Sequence, residues 1–115
     1  MRALIFCLLA ACASDVSMRD AHRLVRSGAR LLDVRSHAEF AERHAPGALN
    51  IPVEELKKRF DEVGAHDRPV VVYCHTGARA GVAVIELRNA GFTRVYNLGS
   101  LARWFRDLRE GWPQY

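Results

Sequence analysis

One run of residues, Pro69-Val70-Val71-Val72-Tyr73-Cys74, constrains the fold more than any other feature of the chain. The run carries no charge and is rich in β-branched side chains, which favours an extended strand. A strand with one face in water alternates apolar and polar residues, whereas this strand must be covered on both faces. Because such strands lie inside parallel sheets, the run predicts a central strand of an α/β domain.

Helices and strands are predicted to alternate around this strand. Apolar spacing and the positions of Pro and Gly predict helices from the N-cap Ser17 to Gly28 and at residues 37–43, 53–63, 78–90 and 101–108. Shorter apolar runs predict strands at residues 29–34, 48–51 and 93–98. The expected fold class is therefore α/β, with a mostly parallel central sheet and helices on both faces.

Composition excludes several classes of function. The 115 residues are enough for about one domain. The net charge is +4, and the arginines are spread from Arg2 to Arg109 rather than gathered on one stripe, so no nucleic-acid partner is expected. Three cysteines are too few for a disulfide framework or a four-ligand zinc site.

The amino-terminal residues resemble a signal peptide. Residues 1–11 carry one positive charge, Arg2, and then an apolar run that is too short to span a bilayer, which needs ~20 residues. Leu9-Ala10-Ala11-Cys12 resembles the bacterial lipobox, in which cleavage precedes a lipidated cysteine. We expect a lipoprotein signal at residues 1–11, lipidation of Cys12, a tether at residues 12–16 and a periplasm-facing location in the cell envelope. An ordinary secretory signal and a cytosolic chain are the alternatives.

The loop after the central strand, Cys74-His75-Thr76-Gly77-Ala78-Arg79, has the composition of an anion-binding turn. It has no proline, so each residue offers a backbone N–H, and Gly77 lets the backbone curl so that these groups converge. A helix amino terminus and the cation of Arg79 both favour negative charge nearby. Cys74 is therefore a candidate nucleophile, with a buried apolar role as the alternative.

This loop, with its pattern Cys-x-x-Gly-x-Arg, resembles the active-site loop of rhodanese-family sulfurtransferases. Two further blocks are similar to the same family. One is Leu32-Asp33-Val34-Arg35 followed by Glu39-Phe40 and residues 44–52, and the other is residues 96–100 with Trp104 beyond. The chain is thus identified as a member of this family, with a three-layer rhodanese-like domain at residues 17–115.

The resemblance implies an enzyme of the thiosulfate sulfurtransferase type. Cys74 would take sulfur from thiosulfate or a related donor as a persulfide, which the loop from His75 to Arg79 would stabilise, and pass it to cyanide or a thiol. Asp33 and Arg35 would support the site. No metal or organic cofactor is required, the partners are these small molecules, the lipid anchor supplies membrane contact, and the domain is expected to be a monomer.

The sequence leaves open which partners the charged residues of the loop and its surroundings bind. Arg79 either faces the substrate or pairs with an internal carboxylate such as Asp33. Glu39 is expected to pair with Arg35, four residues away. Arg43 stands where the family usually has Gly, and we expect this departure to alter a loop.

Two other functions compete with sulfur transfer. The first is a non-catalytic module that binds or senses sulfur. The second is a phosphatase or arsenate reductase, which shares the chemistry of a thiolate on a cradle of N–H groups. A tyrosine-phosphatase-type loop has Arg six positions after Cys, and that position is Ala80 here. The loop is thus one residue short for phosphate.

Overall fold

The computed structural model describes residues 16–109. In this range the strands are β1 (Arg30–Asp33), β2 (Leu49–Asn50), β3 (Val70–Cys74) and β4 (Val95–Ser100). The α-helices are α1 (Met18–Arg26), α2 (His37–Glu42), α3 (Phe60–Val63), α4 (Ala78–Asn89) and α5 (Leu101–Arg109), with a 3-10 helix at Val53–Lys58.

The predicted signal at residues 1–11, the lipidation site Cys12 and residues 13–15 of the predicted tether lie outside the described residues, whereas Val16, its last residue, packs on the core beside α1 and α5. Between residues 16 and 109, no helix combines the length and the apolar character that crossing a bilayer requires.

The strands form one parallel sheet in the order β2-β1-β3-β4. Strand β3 lies between β1 and β4, and all of its residues are buried, so the predictions of a central strand and a parallel sheet are confirmed. Because parallel strands point the same way, the carboxyl ends of β1 and β3 meet at one edge of the sheet, where α/β proteins place their ligands. Asp33 and Cys74 both lie at this edge.

The side chains of β3 alternate between two apolar cores. Val70, Val72 and Cys74 belong to the core that is covered by α4, α3 and the 3-10 helix. Val71 and Tyr73 belong to the other core, which is covered by α1 and α5. Helices therefore cover both faces of the sheet, as the uncharged sequence of the strand requires.

A buried histidine joins the two helices of the second face. His22 of α1 is 2% exposed, and its ring stacks on Trp104 of α5 with 3.7 Å between centroids. Its Nε2 donates a hydrogen bond to the Trp104 carbonyl oxygen at 3.0 Å. This contact fixes α5 against α1 and thereby fixes the side chains that α5 presents near Cys74.

The single helix predicted over residues 53–63 is wrong. The structure divides it at Arg59, whose φ of −132° lies outside the helical region. The Arg59 guanidinium binds Glu55 on one side of the break at 2.8 Å and Glu62 on the other at 2.7 Å. These ion pairs bridge the break, while a buried residue from each piece packs on the core.

Strand β4 also differs from its prediction, because it runs from Val95 to Ser100 rather than over residues 93–98. The Thr93 N–H donates to the His66 carbonyl at 2.9 Å, so it is used by a turn rather than by the sheet. The shift places Ser100 beside Cys74 in the register of the two strands.

Candidate active site

Cys74 is the last residue of β3, and its side chain is buried. The Gly77 N–H donates a hydrogen bond to Cys74 Sγ, with 2.8 Å between nitrogen and sulfur. Gly77 has a φ of +107°, in the left-handed region that favours glycine. This conformation turns the loop back over the sulfur.

The loop leads directly into α4, whose N-cap residue is Gly77. The first N–H groups of a helix have no partner within the helix, and they carry the positive end of its dipole. His75, Thr76 and Ala78 are exposed around this end, and Arg79 is half-buried. The stabilisation of a persulfide by residues 75–79 stays a prediction.

Asp33 and Arg35 form a buried ion pair at the carboxyl end of β1. The Arg35 Nη2 donates to Asp33 Oδ2 at 2.7 Å, and its Nε donates to both carboxylate oxygens at 3.1 Å. Burial by itself lowers the pKa of Arg35, but the hydrogen bonds and charge of Asp33 outweigh burial and raise this pKa. Loss of either partner would leave an uncompensated buried charge next to the site.

The same arginine holds the loop that follows α2. Arg35 Nη2 donates to the Arg43 carbonyl oxygen at 2.6 Å. Two residues on, the Ala45 N–H donates to the Tyr73 hydroxyl at 3.1 Å. Burial, followed by a hydrogen bond with Asp33, raises the pKa of Tyr73, so the hydroxyl stays protonated. The loop at residues 43–45 is therefore fastened to both β1 and β3.

The ion pair of Glu39 differs from the expected one, whereas Arg79 follows the alternative of pairing with a carboxylate, with Glu39 in place of Asp33. Glu39 pairs with Arg79, at 2.7 Å and 3.0 Å, and not with Arg35. Arg79 correspondingly does not pair with Asp33, because Asp33 and Arg35 already satisfy each other. Glu39 is the third residue of α2 and forms a capping box with Ser36, which aims its carboxylate at the loop. The pair links α2 to the first turn of α4.

Both members of this pair have shifted pKa values. Hydrogen bonds from Arg79, then from the Ser36 backbone, lower the pKa of Glu39 to about 2. The hydrogen bonds of Glu39 raise the pKa of Arg79, against burial, and the charges of Glu39, Cys74 and Glu54 add to this effect. Arg79 is therefore a permanent cation within electrostatic reach of Cys74.

An open cavity of about 300 Å³ lies beside the loop. Its wall consists of Arg35, Glu39, Glu42, Arg43, His75, Leu101, Ala102 and Phe105. Sequence reasoning selected Arg35 and His75 for the site but treated Arg43 as a loop change, and it placed Phe105 only within the helix predicted at residues 101–108. The departure of Arg43 from the family pattern was the available signal, since the periodicity of α5 does not tell which apolar residues face a cavity.

A profile of the rhodanese-like domain family matches residues 17–107. The match covers most of the chain, so the chain belongs to the rhodanese-like family. The three-layer α/β fold with a parallel sheet agrees with this membership.

Three similar proteins illustrate the family. The uncharacterized protein YqhL of Bacillus subtilis is 44% identical over 77 residues, which are 66% of this chain and 60% of that protein, so the chain spans less than two thirds of its length. Thiosulfate sulfurtransferase 16, chloroplastic, of Arabidopsis thaliana is 35% identical over 106 residues, 82% of this chain and 88% of that protein. The human single-domain sulfurtransferase TSTD1 is 33% identical with a TM-score of 0.71, covering 81% of this chain and 96% of that chain.

Gly77→Ala should destabilise the protein by about 1–3 kcal/mol, because a Cβ strains the backbone at a φ of +107°. The strain is conformational, since the nearest atom to an added Cβ, Gly99 Cα, is 3.8 Å away. Gly81→Ala is the matched control: in the interior of α4 an added Cβ meets only Asn97 Nδ2, at an ordinary contact distance of 4.0 Å, so alanine should stabilise the helix by about 0.5–1 kcal/mol. Denaturant unfolding measures the change in unfolding free energy for both variants. Changes of the same sign would contradict the conclusion that Gly77 is required for its left-handed backbone conformation.

Glu39→Gln should cost about 0.5–1 kcal/mol at neutral pH, because the lost charge pair is about one third exposed. Gln retains the capping box. Since the folded-state pKa of Glu39 is lowered to about 2, its stabilisation is complete above about pH 4.5 and is lost as the pH falls through 2.

The difference in unfolding free energy between wild type and Glu39→Gln should therefore stay constant from pH 7 to pH 5 and shrink towards pH 2. Asp61→Asn, at an exposed carboxylate of α3, serves as the control for general charge effects. A Glu39→Gln difference that already disappeared by pH 5 would show that the pair does not hold the carboxylate in its charged form.

Proposed function

We propose that the protein is a sulfurtransferase that carries a sulfane sulfur on Cys74. The observation behind this proposal is the 2.8 Å hydrogen bond from the Gly77 N–H to Cys74 Sγ, in a loop that opens α4. An N–H that donates to sulfur stabilises negative charge there, and both a thiolate and a persulfide carry that charge. Similarity to the Arabidopsis and human sulfurtransferases supports the same activity.

The reaction has two balanced steps. The Cys74 thiolate attacks the outer sulfur of thiosulfate, so a new S–S bond forms on Cys74, the S–S bond of thiosulfate breaks, and sulfite leaves with the bonding electron pair. Cyanide or a thiolate then attacks the outer sulfur of the persulfide, and the Cys74 thiolate leaves with the electron pair. Charge is conserved in each step, and no oxidant is needed.

Arg79 contributes to this chemistry from an ion pair. Its charge acts on Cys74, while its guanidinium is held by both carboxylate oxygens of Glu39. A paired arginine has fewer donors for a substrate, so its role is to fix the first turn of α4 and to add positive potential at the sulfur. Direct binding of the donor falls to other residues.

The position after Arg79 argues against phosphate chemistry. Ala80, six positions after Cys74, lies in the first turn of α4 and is fully buried in the core. It offers no cation to the oxygens of a phosphate ester, and the adjacent Arg79 is engaged with Glu39. This arrangement favours sulfur transfer over the phosphatase and arsenate reductase alternatives.

Cys74→Ser should reduce thiocyanate formation from thiosulfate and cyanide by roughly a thousandfold or more, because it removes the nucleophile. Wild-type protein treated with thiosulfate alone should gain about 32 Da, one sulfur atom, in a form that a thiol removes. Purified full-length protein, a thiocyanate assay and intact-mass spectrometry measure these effects.

Three outcomes would contradict the proposal. Equal turnover by wild type and Cys74→Ser would exclude Cys74 as the nucleophile. A stable persulfide without turnover would identify a sulfur-binding module. Hydrolysis of a phenyl phosphate ester without sulfur transfer would identify a phosphatase.

We also propose that the domain is exported and faces the periplasm, anchored by lipid on Cys12. The support is the apolar run of residues 1–11 followed by Leu9-Ala10-Ala11-Cys12. A single acyl chain holds a protein only weakly at a membrane, whereas a lipid with several chains holds it stably. The tether at residues 12–16 would then leave the folded domain in the aqueous phase.

Bacterial cells that express the protein should incorporate labelled fatty acid into it, and Cys12→Ser should abolish the label. Cys7→Ser is the matched control and should keep the label, because Cys7 lies inside the predicted signal. An unlabelled wild type of shortened mass would instead indicate an ordinary secretory signal.

A further inference from the structure

We propose that Arg43 binds the anionic leaving group of the sulfur donor and thereby selects anionic donors, such as thiosulfate, over uncharged ones. This inference rests on the proposed sulfurtransferase function and assigns its donor subsite to a residue outside the cysteine loop. Arg43 lines the cavity that His75 of the loop also lines. Cations in a cavity next to a nucleophile attract an anionic substrate and orient it.

Arg43 differs from the other two arginines of the site in how its charge is used. Arg35 is paired with Asp33, and Arg79 is paired with Glu39. Within residues 16–109, the guanidinium of Arg43 makes no salt bridge. Its donors are available to a ligand, and a guanidinium binds two oxygens of a sulfonate or carboxylate at once.

The position of Arg43 is fixed from both ends. Its backbone N–H donates to the Glu39 carbonyl at 3.2 Å, and its carbonyl accepts from Arg35 at 2.6 Å. Its guanidinium carbon lies 4.4 Å from the centroid of the Phe105 ring, a cation–π contact. The contact is made to a ring and not to an acceptor oxygen, so N–H donors of the guanidinium remain for a ligand. The subsite is therefore partly organised before the donor binds.

Glu42 is the opposing charge, since it lines the same cavity. Without Arg43, the cavity would present this carboxylate to an incoming anion, because the charge of Glu39 is already balanced by Arg79. The charge of Arg43 thus offsets repulsion in addition to binding the donor. Glu42→Gln should accordingly raise kcat/KM for thiosulfate.

The two steps of the proposed reaction provide an internal control for Arg43 variants, because the donor reacts in the first step and the acceptor in the second (a ping-pong mechanism). Each substrate has its own kcat/KM, and thiosulfate reacts in the first half-reaction only. Arg43→Ala should lower kcat/KM for thiosulfate about tenfold or more, the worth of one charge-assisted hydrogen bond. It should leave kcat/KM for 2-mercaptoethanol, a thiol acceptor without an oxyanion group, within about twofold, because the leaving group of that step is Cys74 itself and no sulfite has to be bound.

Arg43→Lys should recover only part of the lost kcat/KM, since the charge remains but the two-oxygen geometry of the guanidinium is lost. Arg94→Ala is the matched control, because Arg94 is exposed and precedes β4 at the opposite end of the sheet. It removes the same charge and should change neither constant. An equal fall of both constants in Arg43→Ala would assign Arg43 a structural role, and an unchanged thiosulfate constant would also overturn the proposal.

A binding experiment separates this inference from the proposed function. Thiosulfate is titrated into Cys74→Ser and into Cys74→Ser/Arg43→Ala by calorimetry, where no sulfur transfer occurs. The double variant should bind at least about tenfold more weakly, and added salt should reduce this difference. Equal binding of thiosulfate by the two variants would contradict the Arg43 subsite, even if Cys74 transfers sulfur. Weaker binding by the double variant would support the subsite, even if turnover did not depend on Cys74.

Discussion

The buried ion pair between Asp33 and Arg35 is the interaction on which the geometry of the site depends. Asp33 is fully buried at the end of β1, so its charge requires the bidentate guanidinium beside it. Once held there, Arg35 binds the Arg43 carbonyl as well. One desolvated carboxylate thus fixes the end of a strand, the conformation of the following loop and part of the cavity wall.

A second ion pair acts on the other side of the cavity. Glu39 and Arg79 are partly exposed, so their contribution to stability is small, but they connect α2 to the first turn of α4. That turn follows Gly77, whose N–H reaches the sulfur. The buried pair therefore makes the end of β1 and the following loop rigid. The partly exposed pair orients the first turn of α4 and adds positive potential next to Cys74.

Prediction from the sequence succeeded where local rules decide the outcome. The uncharged run at residues 69–74 was predicted to be a central strand, and Gly77 was expected to let the loop curl, which it does with a φ of +107°. Prediction failed where residues distant in sequence compete for partners. Glu39 was assigned to Arg35 on spacing alone, yet Asp33 satisfies Arg35 in the core and leaves Glu39 to Arg79, forty positions away. The division of the 53–63 segment at Arg59 likewise depends on packing that periodicity does not describe.

The different roles of Arg35, Arg79 and Arg43 follow from how deeply each guanidinium is buried. A buried guanidinium must be paired, which commits Arg35 to structure. A guanidinium in the first turn of a helix is held in one direction by a bidentate carboxylate, which commits Arg79 to Glu39. Arg43 is exposed and rests on the Phe105 ring, so its charge can respond to a ligand. Under the proposed function the site holds an anionic sulfur and also accepts an anionic donor, and we assign these two tasks to different cations, Arg79 and Arg43.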